Sequence, residues 1–173
     1  MDEMVKILNE HGEETGLITE KLKAHKEGIC HGISAVAIIN SDGKVLLQKR
    51  AITKRDAPGK WDLSAAGHIS SNDTIKEAAI RETFEEIGIK IMEEDLEQID
   101  AYLYKKEGVN KYINHYTYLF IVRKDLDENS IVLQKSEVDE VKFVDKNEYT
   151  TMLNNGEMSG AMKYCGKILE YMK

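Results

Sequence analysis

The chain has 173 residues, 42% of them hydrophobic and 32% charged, a balance typical of a single globular domain with a well-packed core. Its formal net charge of −7 argues against nucleic acid as a partner, because a phosphate backbone requires a basic surface. The charge leaves a small phosphorylated substrate open, since a bound metal or a few local cations can reverse the field within one cleft.

The sequence also lacks the signals of an exported or membrane protein. No apolar run approaches about 20 residues, and the first residues lack the basic-then-apolar order of a signal peptide. Two cysteines, Cys30 and Cys165, are too few for a disulfide framework. One proline and no low-complexity stretch leave no evident linker. We therefore expect a cytoplasmic, single-domain protein over residues 1–173, a monomer or a homodimer, with no membrane or nucleic-acid partner.

The first part of the chain alternates short apolar runs with turn residues, which is typical of β-hairpins. An N-terminal hairpin is expected over about residues 4–20, because two apolar runs flank the polar segment Asn9–Gly16. A second hairpin is expected around the turn signal Ser41–Gly43. The predicted strands in this part are Val5–Leu8, Leu17–Ile18, Ile33–Asn40, Lys44–Gln48 and Trp61–Ala66.

A helix follows, and then strands resume before the chain closes on helices. Thr74–Ile87 has helical spacing and ends at Gly88, a residue favoured just after a helix. This order of elements predicts an α/β/α sandwich built on a mixed β-sheet. The later predicted elements are strands Gln98–Tyr104, Tyr112–Arg123 and Val138–Val144, a helix Lys146–Asn154 and a C-terminal helix over about 158–172.

Three carboxylates share one face of the predicted helix. Glu82, Glu85 and Glu86 stand at i, i+3 and i+4, within an arc of about 100°. A solvated acidic face is one explanation. Glu86, however, lies between Ile75 and Ala79 on the helical wheel, on the side that should be buried, and Asp73 can cap the helix and add a carboxylate. Carboxylates crowded at the edge of a core indicate instead a site for a hard cation such as Mg²⁺.

These residues carry a resemblance to a known family. The run from Gly67 to Asp73, followed by Arg81-Glu82-Thr83-Phe84-Glu85-Glu86-Ile87-Gly88-Ile89, resembles the Nudix box in spacing throughout. Asp73 stands where the pattern has glutamate, and Thr83 stands where it has an aliphatic residue. The resemblance implies a Nudix-type fold over one domain with its box at residues 67–89.

The resemblance also implies a divalent-metal-dependent hydrolase of a diphosphate linkage in a nucleoside diphosphate derivative or similar small molecule. Glu82, Glu85 and Glu86 would bind Mg²⁺, with Mn²⁺ as an alternative, and Arg81 would orient a glutamate. The metal would activate a water molecule for attack. The general base stays open. Glu137 and Glu140 are candidates unless they are ordinary surface charges, and Glu82 itself is a third.

Residues outside the box resemble the branch related to isopentenyl-diphosphate isomerase. The resemblance covers Leu8–Arg50, Pro58–Asp62 and Ser64–His68. That isomerase has a cysteine before its Gly-His pair, where this chain has Ala66, and alanine cannot transfer a proton. Hydrolysis is therefore the favoured prediction. An isomerase-like enzyme and a non-catalytic ligand-binding Nudix domain are the alternatives.

The isomerase relatives carry a second metal site made partly of histidines. His25, His31 and His68 match those positions, and His115 would be a fourth histidine at the same place. Neutral imidazoles suit Zn²⁺ or Mn²⁺. The alternative is a relic of the fold that binds no metal.

Five cations precede the box within twelve residues. They could hold the phosphates of the substrate if their loop borders the cleft, or they could belong to a solvated loop. Trp61 and Tyr104 could stack on a base, although aromatic residues at strand positions usually belong to the core. The five cations are Lys49, Arg50, Lys54, Arg55 and Lys60.

Overall fold

A computed structural model describes residues 3–108, 111–159 and 162–173. Within these ranges the chain forms nine strands, four helices and two short 3₁₀ turns. The strands are β1 (Met4–Leu8), β2 (Glu14–Glu20), β3 (His31–Ile39), β4 (Val45–Arg50), β5 (Trp61–Asp62), β6 (Ala65–His68), β7 (Glu97–Gly108), β8 (Lys111–Arg123) and β9 (Val138–Val144). The helices are α1 (Lys21–Glu27), α2 (Ile75–Ile87), α3 (Lys146–Asn154) and α4 (Met162–Ile168), and the 3₁₀ turns are Glu93–Asp95 and Glu128–Ser130.

Strand β3 lies at the centre of a mixed sheet. It pairs parallel with β8 along nine residues, with His31 opposite His115, and antiparallel with β6, with Ile33 opposite His68. β8 continues antiparallel into β7, while β4 pairs antiparallel with β9 and with the short β5. The hairpin of β1 and β2 joins β3 through Ile7 and His31.

Side-chain alternation along β3 feeds two separate cores. Val36 and Ile38 pack in a cluster with Ala79 and Ile87 of α2. Ala35, Ala37 and Ile39 join the other cluster, which includes Tyr149 and Met152 of α3 and Cys165 and Ile168 of α4. Helices thus cover both faces of the sheet, and the predicted α/β/α sandwich is confirmed. Within the described ranges, no helix has the length and apolar character that crossing a bilayer demands.

Helix α2 begins and ends at residues with clear structural roles. The Thr74 hydroxyl accepts a hydrogen bond from the Glu77 amide, and the Glu77 carboxylate accepts one from the Thr74 amide, which makes a capping box. The expectation that Asp73 caps the helix is wrong, because its carboxylate pairs with Arg81 instead. Gly88 ends the helix in the left-handed conformation at φ 72°. The off-pattern Thr83 is fully buried, but its hydroxyl donates to the Ala79 carbonyl at 2.7 Å.

Three local predictions differ from the structure. Helix α1 was not expected, and the predicted extended segment Trp61–Ala66 is divided between two strands, β5 and β6, with different partners. The last helix begins at Met162 and not near residue 158, because Ser159 is drawn into pairing with β5. The Ser159 amide donates to the Trp61 carbonyl at 2.7 Å, and the Trp61 amide donates to the Glu157 carbonyl at 3.0 Å.

The capping box predicts a measurable stability effect. Thr74→Ala removes the hydroxyl that accepts from the Glu77 amide and should lower the free energy of unfolding by about 1 kcal/mol. Thr151→Ala, a matched change at an exposed position within α3, should alter it by less than about 0.5 kcal/mol. Urea denaturation followed by circular dichroism measures both values. Equal effects of the two substitutions would contradict the role given to the cap.

Candidate active site

A cleft of about 1130 Å³ collects the box and the residues around it. Its lining comes mainly from α1, α2, the strands β3–β8, and the two loops that carry residues 53–56 and 134–137. Of the described residues lining it, seven are acidic and six are lysine or arginine. The carboxyl groups and the cations are thus nearly equal in number, so these residues bring no excess of positive charge for a diphosphate.

Glu86 is the buried carboxylate at the base of the cleft. It is only 5% exposed, and one of its oxygens, Oε2, accepts hydrogen bonds from Gln48 Nε2 at 2.7 Å and from the Ala66 amide at 3.0 Å. Burial raises the pKa of Glu86 to about 8, although these two donors oppose the shift. A buried carboxylate that is this costly to ionise indicates a place for a cation.

Glu82 reaches the cleft because residue 67 has no side chain. The Glu82 carboxylate lies against Gly67, and a Cβ at that position would overlap it. Burial raises the pKa of Glu82, although its partner Arg81 lowers it. The glycine of the box is therefore required by close packing.

Arg81 holds the carboxylates in place. Its Nη1 lies 2.7 Å from Glu82 Oε1 and 3.3 Å from Glu85 Oε2, and its Nε donates to Asp73 Oδ2 at 2.9 Å. Its Nη2 donates to the His68 carbonyl at 3.0 Å, which fixes α2 against β6. Arginine suits this task because its planar fork of donors is always charged.

The three glutamates together fit a hard divalent cation. Glu86 is buried and Glu82 is partly buried, both with raised pKa values, and the third, Glu85, has a side chain that is 48% exposed and lines the same cleft. Carboxylate oxygens are the ligands that Mg²⁺ prefers. Asp73 pairs with the Nε atom of Arg81 and so helps to position the arginine.

The four predicted histidines come together from four different elements. Each offers a ring nitrogen, and these four atoms lie within 4.8 Å of one another. His31 on β3 is directly opposite His115 on β8, His68 lies on β6 beside them, and His25 comes from α1. His25 Nε2 and His68 Nε2 are 3.0 Å apart. Burial lowers the pKa of His31 to about 4 and that of His68 well below its usual value, so both rings are neutral.

The five predicted substrate-binding cations separate into two groups. Arg50, Lys54 and Arg55 line the cleft. Lys49 and Lys60 do not. The Lys49 ammonium lies over the Trp61 ring, and the Lys60 ammonium donates to the Gly156 carbonyl at 2.8 Å.

Of the candidate general bases and the two aromatic residues, one of each kind lines the cleft. Glu137 lines the cleft and forms an ion pair with Lys54. Glu140 lies outside it, exposed, at 3.7 Å from Lys49. Tyr104 lines the cleft, whereas Trp61 is 8% exposed and belongs to the core.

Sequence reasoning missed several polar residues of the cleft. Gln48 donates to Glu86, and the local sequence does not mark it, because it follows the apolar run of β4 and directly precedes Lys49 and Arg50. Asp62 is 5% exposed and accepts from Arg50 and Ser159. The Glu3 carboxylate pairs with Lys21 at 2.6 Å, and nothing in the local sequence marks either residue.

The packing at residue 67 gives a second prediction. Gly67→Ala should force the Glu82 carboxylate off Gly67 and lower the free energy of unfolding by about 1–3 kcal/mol. Gly166→Ala is the control, because a Cβ there meets nothing within 4 Å, and it should cost less than about 0.5 kcal/mol. Chemical denaturation measures both. An unchanged stability for Gly67→Ala would refute the close approach of Glu82.

Comparison with known proteins identifies the family. A sequence model of the NUDIX domain matches residues 30–162. The chain is 34% identical over 151 residues to an uncharacterized Nudix hydrolase of Listeria monocytogenes, with 87% of this chain and 85% of that protein covered. It is also 34% identical over 158 residues to Nudix hydrolase 3 of Arabidopsis thaliana, which covers 88% of this chain but only 20% of that longer protein.

An isomerase relative and a solved structure agree with this assignment. The chain is 28% identical over 156 residues to isopentenyl-diphosphate Delta-isomerase 2 of Photorhabdus laumondii, with 90% of this chain and 84% of that protein covered. A crystal structure of a Deinococcus radiodurans protein superposes with a TM-score of 0.72 at 16% identity, covering 99% of this chain and 100% of that one, which shows a shared fold. The chain belongs to the Nudix hydrolase family, in a branch that resembles isopentenyl-diphosphate isomerase.

Proposed function

We propose that this protein hydrolyses the diphosphate linkage of a small nucleoside diphosphate derivative, with Mg²⁺, or alternatively Mn²⁺, held by Glu82, Glu85 and Glu86. The observation that carries the proposal is the buried Glu86 carboxylate, held from one side by Gln48 and Ala66 within the cleft that Glu82 and Glu85 also line. A divalent ion at such a set neutralises diphosphate oxygens and acidifies a bound water.

Arg81 is the positioning residue of this site. It contacts Glu82, Glu85 and Asp73 together and grips the His68 carbonyl, so it keeps two ligand carboxylates converged despite their mutual repulsion. Like charges at this helical spacing otherwise destabilise a helix by about 0.2–0.5 kcal/mol per pair. The same arginine thus stabilises α2 and sets the geometry of the ligands.

Glu137 is the general base that the geometry favours. It lines the cleft, whereas Glu140 does not, and its partner Lys54 is one of the three cations suited to the substrate's phosphates. When a phosphate binds Lys54, it competes with Glu137 for the ammonium, and the carboxylate becomes available to accept a proton. Arg50 and Arg55 add positive charge on the same side of the cleft.

Two other functions are less well supported. An isomerase needs a proton-transfer group at residue 66, and Ala66 lines the cleft without one, while both cysteines are buried elsewhere in the described chain. A non-catalytic binding domain has no need of three glutamates that line one cleft, two of them held by an arginine.

The metal-binding role predicts a large loss of activity from small changes. Glu85→Gln and Glu86→Gln should each lower kcat/KM by on the order of a hundredfold or more, because they remove charge that holds a cation worth several kcal/mol to the transition state. Glu86→Gln should fold, since its amide oxygen can still accept from Gln48 and Ala66. Chromatography of the products formed with Mg²⁺ or Mn²⁺ from nucleoside di- and triphosphates, nucleotide sugars, dinucleotides and isoprenoid diphosphates measures the effect.

The control for these variants is Glu94→Gln. Glu94 is exposed in the first 3₁₀ turn and lies outside the cleft, so its substitution should leave kcat/KM within about twofold of the wild-type value. Unchanged turnover of the best substrate by Glu85→Gln and Glu86→Gln would show that the proposed mechanism is wrong.

A matched pair of substitutions tests the general base. Glu137→Gln should lower kcat by about 10²- to 10⁴-fold, because it removes the proton acceptor while keeping the side-chain size. Glu140→Gln, a change of the same chemistry outside the cleft, should leave kcat within about threefold. Steady-state kinetics on the best substrate measures both. The assignment to Glu137 fails if the two variants behave alike.

A further inference from the structure

Asp62 is a buried carboxylate of the cleft that the proposed metal site does not use. Its side chain is 6% exposed, and it stands on β5 opposite Gln48 of β4, two residues before Arg50. Its Oδ1 accepts from the Leu63 amide at 2.9 Å, and its Oδ2 accepts from the Ser159 hydroxyl. The same Oδ2 lies 3.5 Å from Nη1 of Arg50. Protein donors thus occupy both oxygens, so Asp62 is placed to support its neighbours and not to bind a metal or accept a proton.

Arg50 is fixed in the cleft wall from two directions. Its side chain is 15% exposed, its Nη1 faces Asp62, and its Nε donates to the Asp56 carbonyl at 3.1 Å. These two contacts use only part of the planar guanidinium fork, and its remaining donors suit a phosphate oxygen. An ion pair this far from water depends on both partners, because a buried charge left alone is costly. The position of the Arg50 guanidinium therefore depends on the Asp62 carboxylate.

The chain after Arg50 forms a loop, residues 51–59, which we call the cation loop because two other cleft cations lie on it. Arg50 closes the base of this loop with its backbone. Its amide donates to the Lys60 carbonyl at 2.9 Å, and its carbonyl accepts from the Gly59 amide at 3.1 Å. The backbone of Arg50 therefore holds the two ends of the cation loop together.

The Arg50 side chain also holds the middle of the cation loop. The Asp56 carbonyl, which accepts from its Nε, directly precedes Ala57, a residue with a left-handed φ of 45°. A residue other than glycine stays in that conformation only where surrounding contacts impose it. Loss of the ion pair between Arg50 and Asp62 would therefore loosen this turn and the two cations that flank it.

We propose that Asp62 is a positioning residue for substrate binding that acts through Arg50. The Asp62 carboxylate holds the guanidinium, and the guanidinium binds a phosphate group of the substrate while it keeps Lys54 and Arg55 directed into the cleft. The inference rests on the proposed function, because it takes these cations to bind the diphosphate. Asp62 thus controls how tightly the diphosphate is held without touching it and without contacting the metal ligands.

A double-mutant cycle tests the link between the two residues. Protein in excess Mg²⁺ is titrated calorimetrically with methylenediphosphonate, a non-hydrolysable diphosphate. Asp62→Asn keeps an acceptor for the Leu63 amide but removes the ion pair, so it should weaken binding about tenfold. Arg50→Gln should weaken binding at least as much, and adding Asp62→Asn to Arg50→Gln should change it by less than about twofold. Asp42→Asn, at an exposed turn position outside the cleft, is the control and should leave binding unchanged.

Kinetics and proteolysis separate positioning from a merely structural role. On the best substrate, Asp62→Asn should raise KM about tenfold and change kcat by less than about threefold, because the ground state and the transition state share the phosphate contacts. Without ligand, trypsin should cut Asp62→Asn after Lys54 and Arg55 at least about fivefold faster than the wild type, because the cation loop is loosened. Asp62→Thr, which suits a strand position, takes the place of Asp62→Asn if that variant fails to fold.

The inference fails if the wild type does not bind methylenediphosphonate, if Asp62→Asn binds it unchanged, or if the two substitutions give additive losses. A loss of kcat at constant KM would also overturn it, because Asp62 would then act in the chemical step. An unchanged rate of tryptic cleavage would refute the ordering of the cation loop. Binding with a non-additive cycle, in a protein that hydrolyses none of the screened substrates, would support this inference and refute the proposed function.

Discussion

The carboxylate of Glu86, buried beneath the cleft, ties helix α2 to two strands of the sheet. Gln48 of β4 and the Ala66 amide of β6 both donate to the same oxygen. Isolating a carboxylate from water costs several kcal/mol unless donors or a cation offset it, so neither strand can move from this helix cheaply. The hydrogen bonds to Glu86 therefore join α2 to β4 and β6, and they also fix the position of the box beside the cleft.

The alternation of side chains along the short strand β6 places site residues on both of its faces. On β6, Gly67 faces α2 and receives the Glu82 carboxylate, while Ala66 and His68 point to the opposite side of the strand, which pairs with β3. The parallel register of β3 with β8 then brings His31 next to His115. The four residues of β6 therefore contribute to both sets, because Gly67 contacts Glu82 and His68 belongs to the histidine cluster. Arg81 links the two sets by donating to the His68 carbonyl.

The sequence predicts best what depends on local spacing. The glutamate face, the helix end at Gly88 and the sandwich of layers follow from periodicity and turn residues. Helix α1 is not predicted from the sequence because its seven residues bury only Ala24 and show no apolar face. The choice between Asp73 and Thr74 as cap, and between Lys49 and Arg50 as cleft cations, depends on partners that are distant in sequence. The roles of Gln48 and Asp62 cannot be predicted from local sequence, because their hydrogen-bond partners lie on other elements.

Ala66 contacts the Glu86 carboxylate through its backbone amide and not through its side chain. The amide of Ala66 holds Glu86, while its side chain faces the cleft and takes no part in that bond. Evolution could therefore exchange the group at this position without rebuilding the carboxylate arrangement beside it. A thiol at this position, as the resemblance to the isomerase branch implies for those relatives, can transfer a proton, whereas the methyl group of Ala66 cannot.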